Sequence, residues 1–345
     1  MSEYFLGIDL HKRSSVWVLL DSSKRVVQTE NIVCTKKAFE EGLNKFNVDW
    51  RLAKAAIEPV CAWRWVANFL KAEGLDVRIV NPFKTRLIAE NRLKHDKIDA
   101  TILAELLRAD FLPESYWAPD EVCRLRELVR HRTYLVRLRT SVKNRIHGTF
   151  GRNGEGEEII NPLRKRNSEK VEALMTDELR NLFSFLGELS KKIKPLDLAI
   201  AKEARRHDVA KLLMTMPAVG PITALTIAAE VGDWKRFDTP AQLTSFAGLV
   251  PRQRSSGQNV RFGRITKAGS RILRYSIVEA ALRVRDTHDV RLNSFLSRLK
   301  ETHGAKQARV ALARKMLSIM WHMVKRNESY KDEVSRESSV KPVIS

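Results

Sequence analysis

The chain is poor in cysteine, modest in aromatic residues and short of acid. Its 345 residues hold three cysteines, Cys34, Cys61 and Cys123. They are odd in number and far apart, which argues against a disulfide framework and against a cysteine-type zinc site. The eight histidines show no ligand spacing either. No run approaches the roughly 20 apolar residues that span a bilayer. The opening MSEYFLGIDLHK has no basic stretch leading into an apolar one, so no signal peptide and no membrane partner are expected, and a reducing, cytoplasmic setting is. Acid is the most telling scarcity. Only 41 Asp and Glu stand against 62 Lys and Arg, a net charge of +21. A small neutral substrate has no need of such a field; a polyanion, DNA or RNA, does.

With 43% hydrophobic residues the chain can bury a core, and its length suits two or three domains. The first hundred residues alternate between the two periods. Tyr4–Leu10, Ser15–Leu20 and Arg25–Ile32 read as three successive strands. Thr35 looks like the N-cap of a helix reaching Phe46. Lys54–Ile57 is a fourth strand, Ala62–Glu73 a helix, Asp76–Val80 a fifth strand, with helices from about Phe83 and from Lys97 to Ala109. This order predicts a mixed sheet covered on both faces, an α/β domain ordered like the ribonuclease H-like nucleases.

After Pro113 and Pro119 the pattern turns helical. Leu128, Leu135 and Val142 repeat at seven within 121–146. Gly, Pro and charge then interrupt the chain at 151–168. A second segment carries Met175, Leu179, Leu182, Leu186, Leu189, Ile193, Leu196 and Ile200 in alternating steps of four and three. Pro195 falls inside this seam and predicts a kink or interruption. Residues 120–205 thus read as a helical hairpin or coiled-coil arm, used for oligomerisation or packed on the chain's own core. The arm's first helix is basic, with Arg124, Arg130, Arg137, Arg139, Lys143 and Arg145. The region 208–325 reads as helical with glycine-rich turns, and 326–345 as a polar, disordered tail.

Four acids fall where this fold would place a metal site. Asp9 lies at the end of the first strand and Glu58 at the end of the fourth. Asp96 and Asp99 open a helix one turn apart and share a face. Carboxylates that close repel one another unless cations neutralise them, and hard oxygen ligands suit Mg²⁺ or Mn²⁺. Asp96 could instead simply cap its helix. Lys12, Lys84, Arg86, Arg92, Lys94 and Lys97 nearby could hold phosphates or form a solvated face.

Later, MPAVGPITA around Gly220 resembles a helix-hairpin-helix, whose glycine turn offers backbone N–H groups to a phosphate; an ordinary turn between buried helices is the alternative. From Gln242 through Val278 there is no Asp or Glu, while Arg252, Arg254, Arg261, Arg264, Lys267, Arg271 and Arg274 all fall there. A one-sign block of this kind reads as a phosphate-backbone surface, with Ser255 and Ser256 beside Gly257 as turn or phosphate-binding residues. By residue type alone, Thr244, Ser245, Ser255, Ser256 and Ser270 are equivalent hydroxyls.

GIDLHK, the IEP glutamate, VNPFKTR and KHDKIDA together resemble the N-terminal domain of IS110-family transposases. SFAGLVPRQRSSG followed by RITKAGSRILR resembles their IS116/IS110/IS902 C-terminal domain. The resemblance covers about 4–110 and 210–295. One departure is Pro59-Val60-Cys61-Ala62, where a small Thr/Ser-Gly pair is usual. The resemblance implies a RuvC-like catalytic domain over 1–112 with Asp9, Glu58, Asp96 and Asp99 as the DEDD set and a mostly helical transposase domain over 208–325; the arm read from periodicity takes 113–207 between them. It implies Ser245 as the nucleophile that forms a covalent phosphoserine link to DNA. It also implies strand exchange between donor and target double-stranded DNA within a homo-oligomer, a dimer or tetramer, guided by a structured RNA encoded by the element. A DNA invertase of the Piv type working without RNA, a RuvC-like nuclease or resolvase using only the carboxylates, and a non-catalytic binding protein are the competing readings.

Overall fold

The computed structural model describes residues 4–60, 63–88, 96–152, 162–163, 168–256, 259–284 and 289–330, and divides into two compact units, Met1–Trp117 and Ala118–Ser345.

The first unit is a five-stranded sheet in the order β3-β2-β1-β4-β5. Its strands are β1 (Tyr4–Leu10), β2 (Ser14–Asp21), β3 (Val26–Val33), β4 (Ala53–Ile57) and β5 (Asp76–Ile79). The first three form an antiparallel meander, while β1, β4 and β5 run parallel. The helices are α1 (Lys36–Lys45), α2 (Trp63–Ala72), α3 (Pro82–Ile88) and α4 (Asp96–Arg108). This is the ribonuclease H-like order expected from the sequence. Thr35 caps α1 as expected, accepting from the Ala38 N–H.

Strand alternation sorts side chains into two layers. Leu6, Ile8 and Leu10 of β1 point into a core with Trp17, Phe39, Val66 and Leu70, against α1 and α2. Phe5 points the other way, with Val18, Ala56, Ala100 and Leu103, against α4. Gly7 shares the α4 face. A Cβ built there would stand 1.9 Å from the Ala100 carbonyl oxygen, so α4 lies directly on the backbone of β1. No larger residue permits that approach without moving one element.

The second unit is mainly helical: α5 (Asp120–Arg152), α6 (Ser168–Ala173), α7 (Asp177–Ala204), α8 (Asp208–Met214), α9 (Pro221–Val231), α10 (Pro240–Phe246), α11 (Arg271–Ala281) and α12 (Val290–Arg326). The seam of α7 packs inside the chain. Leu179, Leu189 and Ile193 share a core with Leu135, Val142, Ile146 and Phe150 of α5, and Ile200 joins the larger core around α9. The two helices therefore pack together as a hairpin within the second unit. Pro195 does not end α7, which continues to Ala204. The loss of one backbone hydrogen bond is outweighed by the apolar burial of Ile193 and Ile200 on either side.

Two strands were not foreseen. β6 (Pro251–Ser256) and β7 (Asn259–Ile265) form an antiparallel hairpin within a region that the sequence reads as helical with glycine-rich turns. The 331–345 part of the expected tail lies outside the described residues. Among those described, no helix is long and apolar enough to cross a membrane.

Candidate active site

The carboxylates are assembled by the alternation of the sheet. Asp9 follows Phe5 and Gly7 on the α4 face of β1. Glu58 comes two residues after Ala56, immediately beyond β4. Because Ile8 pairs in register with Ile57, Asp9 and Glu58 are the next neighbours at the carboxyl ends of two parallel strands. Asp96 and Asp99 occupy the first turn of α4, the helix seated on Gly7.

Asp9 is 7% exposed, whereas Asp96 is exposed and Asp99 half-buried. Burial pushes the Asp9 carboxyl up to about 6. His11 pulls it down, while Asp96, Asp99 and Glu58 all push it further up. The three neighbouring acids thus act on one buried oxygen pair, as mutually repelling charges must when no cation separates them.

His11 was not singled out from the sequence. Its Nε2 lies 3.2 Å from the Asp9 Oδ2 and 3.2 Å from the Asp96 Oδ2. Asp9, His11 and Asp96 each offer a ligand atom, and all three atoms lie within 4.8 Å of one another. Residues two apart in an extended chain share a face; that spacing from Asp9 was the available signal. A donor set rich in carboxylate oxygen, one member buried and held up by its neighbours, fits a hard divalent cation. Lys12, Lys84, Arg86 and Lys97 are exposed in this unit, while Arg92 and Lys94 lie outside the described residues.

In the second unit, Ser245 is exposed near the end of α10. Thr244 beside it is buried and donates to the Ala241 carbonyl. Ser270 caps α11 and donates to Glu230 at 2.9 Å. Two glycines set the turn that follows Ser245. Gly248 has φ +67°, and a Cβ there would stand 2.3 Å from the Ala268 carbonyl oxygen. Gly269 has φ +97°, and its Cβ would meet the Phe246 carbonyl oxygen at 2.0 Å. Backbone bonds from Lys267 to Gly248 and from Ser270 to Phe246 clasp the two turns. Arg274 donates to the Ala247 carbonyl, and burial lowers its pKa. The segments AGLVP and TKAGSR are therefore two halves of one interlocked support beneath Ser245.

The basic residues singled out from the sequence differ in their commitments. Arg130 donates to both oxygens of buried Glu230 at 2.7 and 3.0 Å. Arg124 pairs with Glu203 and Arg145 with Glu178. Arg137 lies over the Tyr275 ring, and Arg139 and Lys143 are half-buried on α5. Arg252, Arg264, Lys267 and Arg271 are exposed. The side chains of Arg254, Ser255, Ser256 and Arg261 lie outside the described residues. Gly220 is the exposed N-cap of α9, with Pro221 in the first turn and open space around it. Arg126 donates to the backbone carbonyls of Ala229 and Glu230, a second tie between α5 and α9.

Comparison with known proteins gives two family matches. A model described as the transposase IS116/IS110/IS902 family matches residues 210–297, and a transposase model for the DEDD enzymes of IS110 elements matches residues 6–152. A "Probable family 20 transposase" of Pseudomonas aeruginosa is 28% identical over 334 residues, covering 90% of this chain and 97% of its own. The transposase for insertion sequence element IS1111A of Coxiella burnetii is 28% identical over 287 residues, covering 77% and 76%. The pilin gene-inverting protein of Moraxella bovis is 26% identical over 275 residues, covering 78% of each chain.

Proposed function

The chain belongs to the IS116/IS110/IS902 family of transposases, enzymes of DNA phosphoryl transfer, and from that membership we propose that it cleaves and exchanges strands through Ser245, with a divalent cation held by Asp9, Glu58, Asp96 and Asp99. The observation that carries the metal half is the Asp9 carboxyl, raised chiefly by its burial and further by three neighbouring carboxylates. Mg²⁺ or Mn²⁺ bound by those oxygens would neutralise charge on a phosphoryl group. His11 lies within reach of the same position.

The serine half rests on the family match and on accessibility. Ser245 is exposed, whereas Thr244 is buried and Ser270 is committed to Glu230. In the proposed step the Ser245 Oγ bonds to phosphorus as its proton leaves. The phosphorus–oxygen bond to the departing sugar breaks, and that oxygen takes up a proton. The exposed Arg252, Arg264, Lys267 and Arg271 would hold phosphates of the strand. A structured guide RNA and a homo-oligomer, dimer or tetramer, complete the reading.

The test is to express the chain with its flanking DNA, sequence the nucleic acid that co-purifies, and run recombination with Ser245→Ala. A single discrete RNA, loss of recombination and loss of a denaturation-resistant protein–DNA adduct are expected. Cleavage that survives Ser245→Ala would point to a nuclease using the carboxylates alone. Similarity to the pilin gene-inverting protein favours a second reading, inversion without RNA, and recombination by RNA-free protein would establish it.

A further inference from the structure

A groove of about 1180 Å³ opens between the β6–β7 hairpin and α12. It exceeds the roughly 300–1,000 Å³ of most small-molecule sites. Its rim carries Arg264, Lys267, Lys306 and Arg314, all exposed, and no acidic residue lines it. None of these four side chains forms an ion pair among the described residues. The floor is mainly apolar, with Phe295 and Val310 only partly buried, and Lys315 adds a further cation with its Nζ 4.3 Å from the Phe295 ring centroid.

These two properties together select the occupant. A purely basic surface suits the outside of a duplex, where only phosphates are offered. An apolar, aromatic floor adds nothing there, because paired bases hide their faces. Unpaired bases expose those faces, and a basic rim with an aromatic floor binds both parts of such a strand. Leu249 and Lys267 of the interlocked turns after Ser245 are among the lining residues, so, on the proposed role of Ser245, the groove borders the place where a DNA strand would be opened. We propose that this groove binds single-stranded DNA, with phosphates along the Arg264–Lys267 and Lys306–Arg314 rims and a base against Phe295. Lys306, Arg314 and Phe295 then belong to the DNA-handling machinery, although they lie outside the basic block conspicuous in the sequence.

The proposal is tested on the full chain by fluorescence anisotropy with an oligo-dT of about 12 nucleotides, within the span of a typical single-strand site. A duplex and an oligo-rU of the same length serve as comparisons. No cleavage is involved, so the result is independent of whether Ser245 is the nucleophile. Lys306→Ala with Arg314→Ala should weaken oligo-dT binding about tenfold and make the log–log salt slope shallower by about 1.4, the value for two lost single-strand phosphate contacts. Duplex binding should change less than about twofold. Phe295→Leu, which keeps an apolar residue in place, should weaken oligo-dT about threefold without changing the slope. Unchanged oligo-dT binding in both variants would overturn the proposal. So would an equal loss on duplex, which marks a general basic surface, or a wild-type preference for oligo-rU that the variants remove, which marks an RNA groove.

Discussion

Gly7 of β1 and Ala100 of α4 meet backbone to backbone, with only 1.9 Å between the position a Cβ would take on Gly7 and the Ala100 carbonyl oxygen. This contact sets how near Asp9 lies to Asp96 and Asp99. Gly7→Ala must push α4 outward, with an overpacking cost of about 1–3 kcal/mol. We expect a lower melting temperature and, in protein still folded at assay temperature, a recombination rate reduced more than metal-independent DNA binding. Equal loss of both would show that the substitution only unfolds the domain.

Metal binding should depend on pH through Asp9. Its folded carboxyl is raised from 3.8 to about 6, chiefly by burial. The sign follows from which form the fold prefers. The protonated acid is favoured, so this group's contribution to metal-free stability is full below about 3.8 and is lost as pH rises through about 6. A cation competes with that proton and reverses the penalty. The rise in melting temperature on adding Mn²⁺ should therefore be small at pH 5 and grow towards pH 7. Asp9→Asn should abolish that pH dependence, and a constant Mn²⁺ shift across the range would exclude Asp9 as a ligand.

Arg130→Ala should behave as a stability variant. It leaves the carboxylate of buried Glu230 with Ser270 as its remaining side-chain partner among the described residues. Loss of a fully buried pair costs about 3–5 kcal/mol. Arg130 is itself half-exposed, so water recovers part of this and about 2 kcal/mol is the expected scale. Chemical denaturation measures it. A melting curve like the wild type with a shallower salt dependence of DNA binding would instead make Arg130 a phosphate contact.

Gly248→Ala should cost more recombination activity than an equally destabilising core substitution such as Leu317→Ala. Its φ of +67° is strained for any residue with a side chain, and the added methyl collides with the Ala268 carbonyl. The damage falls on the turn that supports Ser245. Activity that tracks stability identically in both variants would detach this turn from the chemistry.

Much of the first unit was legible because its signals are local and periodic. Strand alternation located Asp9 and Glu58, and the helix signal after Lys97 located Asp96 and Asp99. His11 was missed because its spacing from Asp9 is a common one, and the second partner that makes it informative, Asp96, is 85 residues away. The β6–β7 hairpin was missed because β6, Pro-Arg-Gln-Arg-Ser-Ser, has no apolar alternation, and the short Val260/Phe262 alternation of β7 is broken off by Gly263 and Arg264. The basic residues show the same limit. Charge counting gave Arg130 and Arg252 equal standing, yet Arg130 is paired with Glu230 while Arg252 faces outward.

The carboxylates reach their positions from β1, from the end of β4 and from the first turn of α4. During synthesis Asp9 and Glu58 leave the ribosome well before Asp96 and Asp99 exist, and the four converge only after α4 settles onto Gly7. A nascent or truncated N-terminal fragment therefore holds only half of the carboxylate cluster. The fold thus acts as a timer, withholding the assembled carboxylate cluster until the first unit is complete through α4.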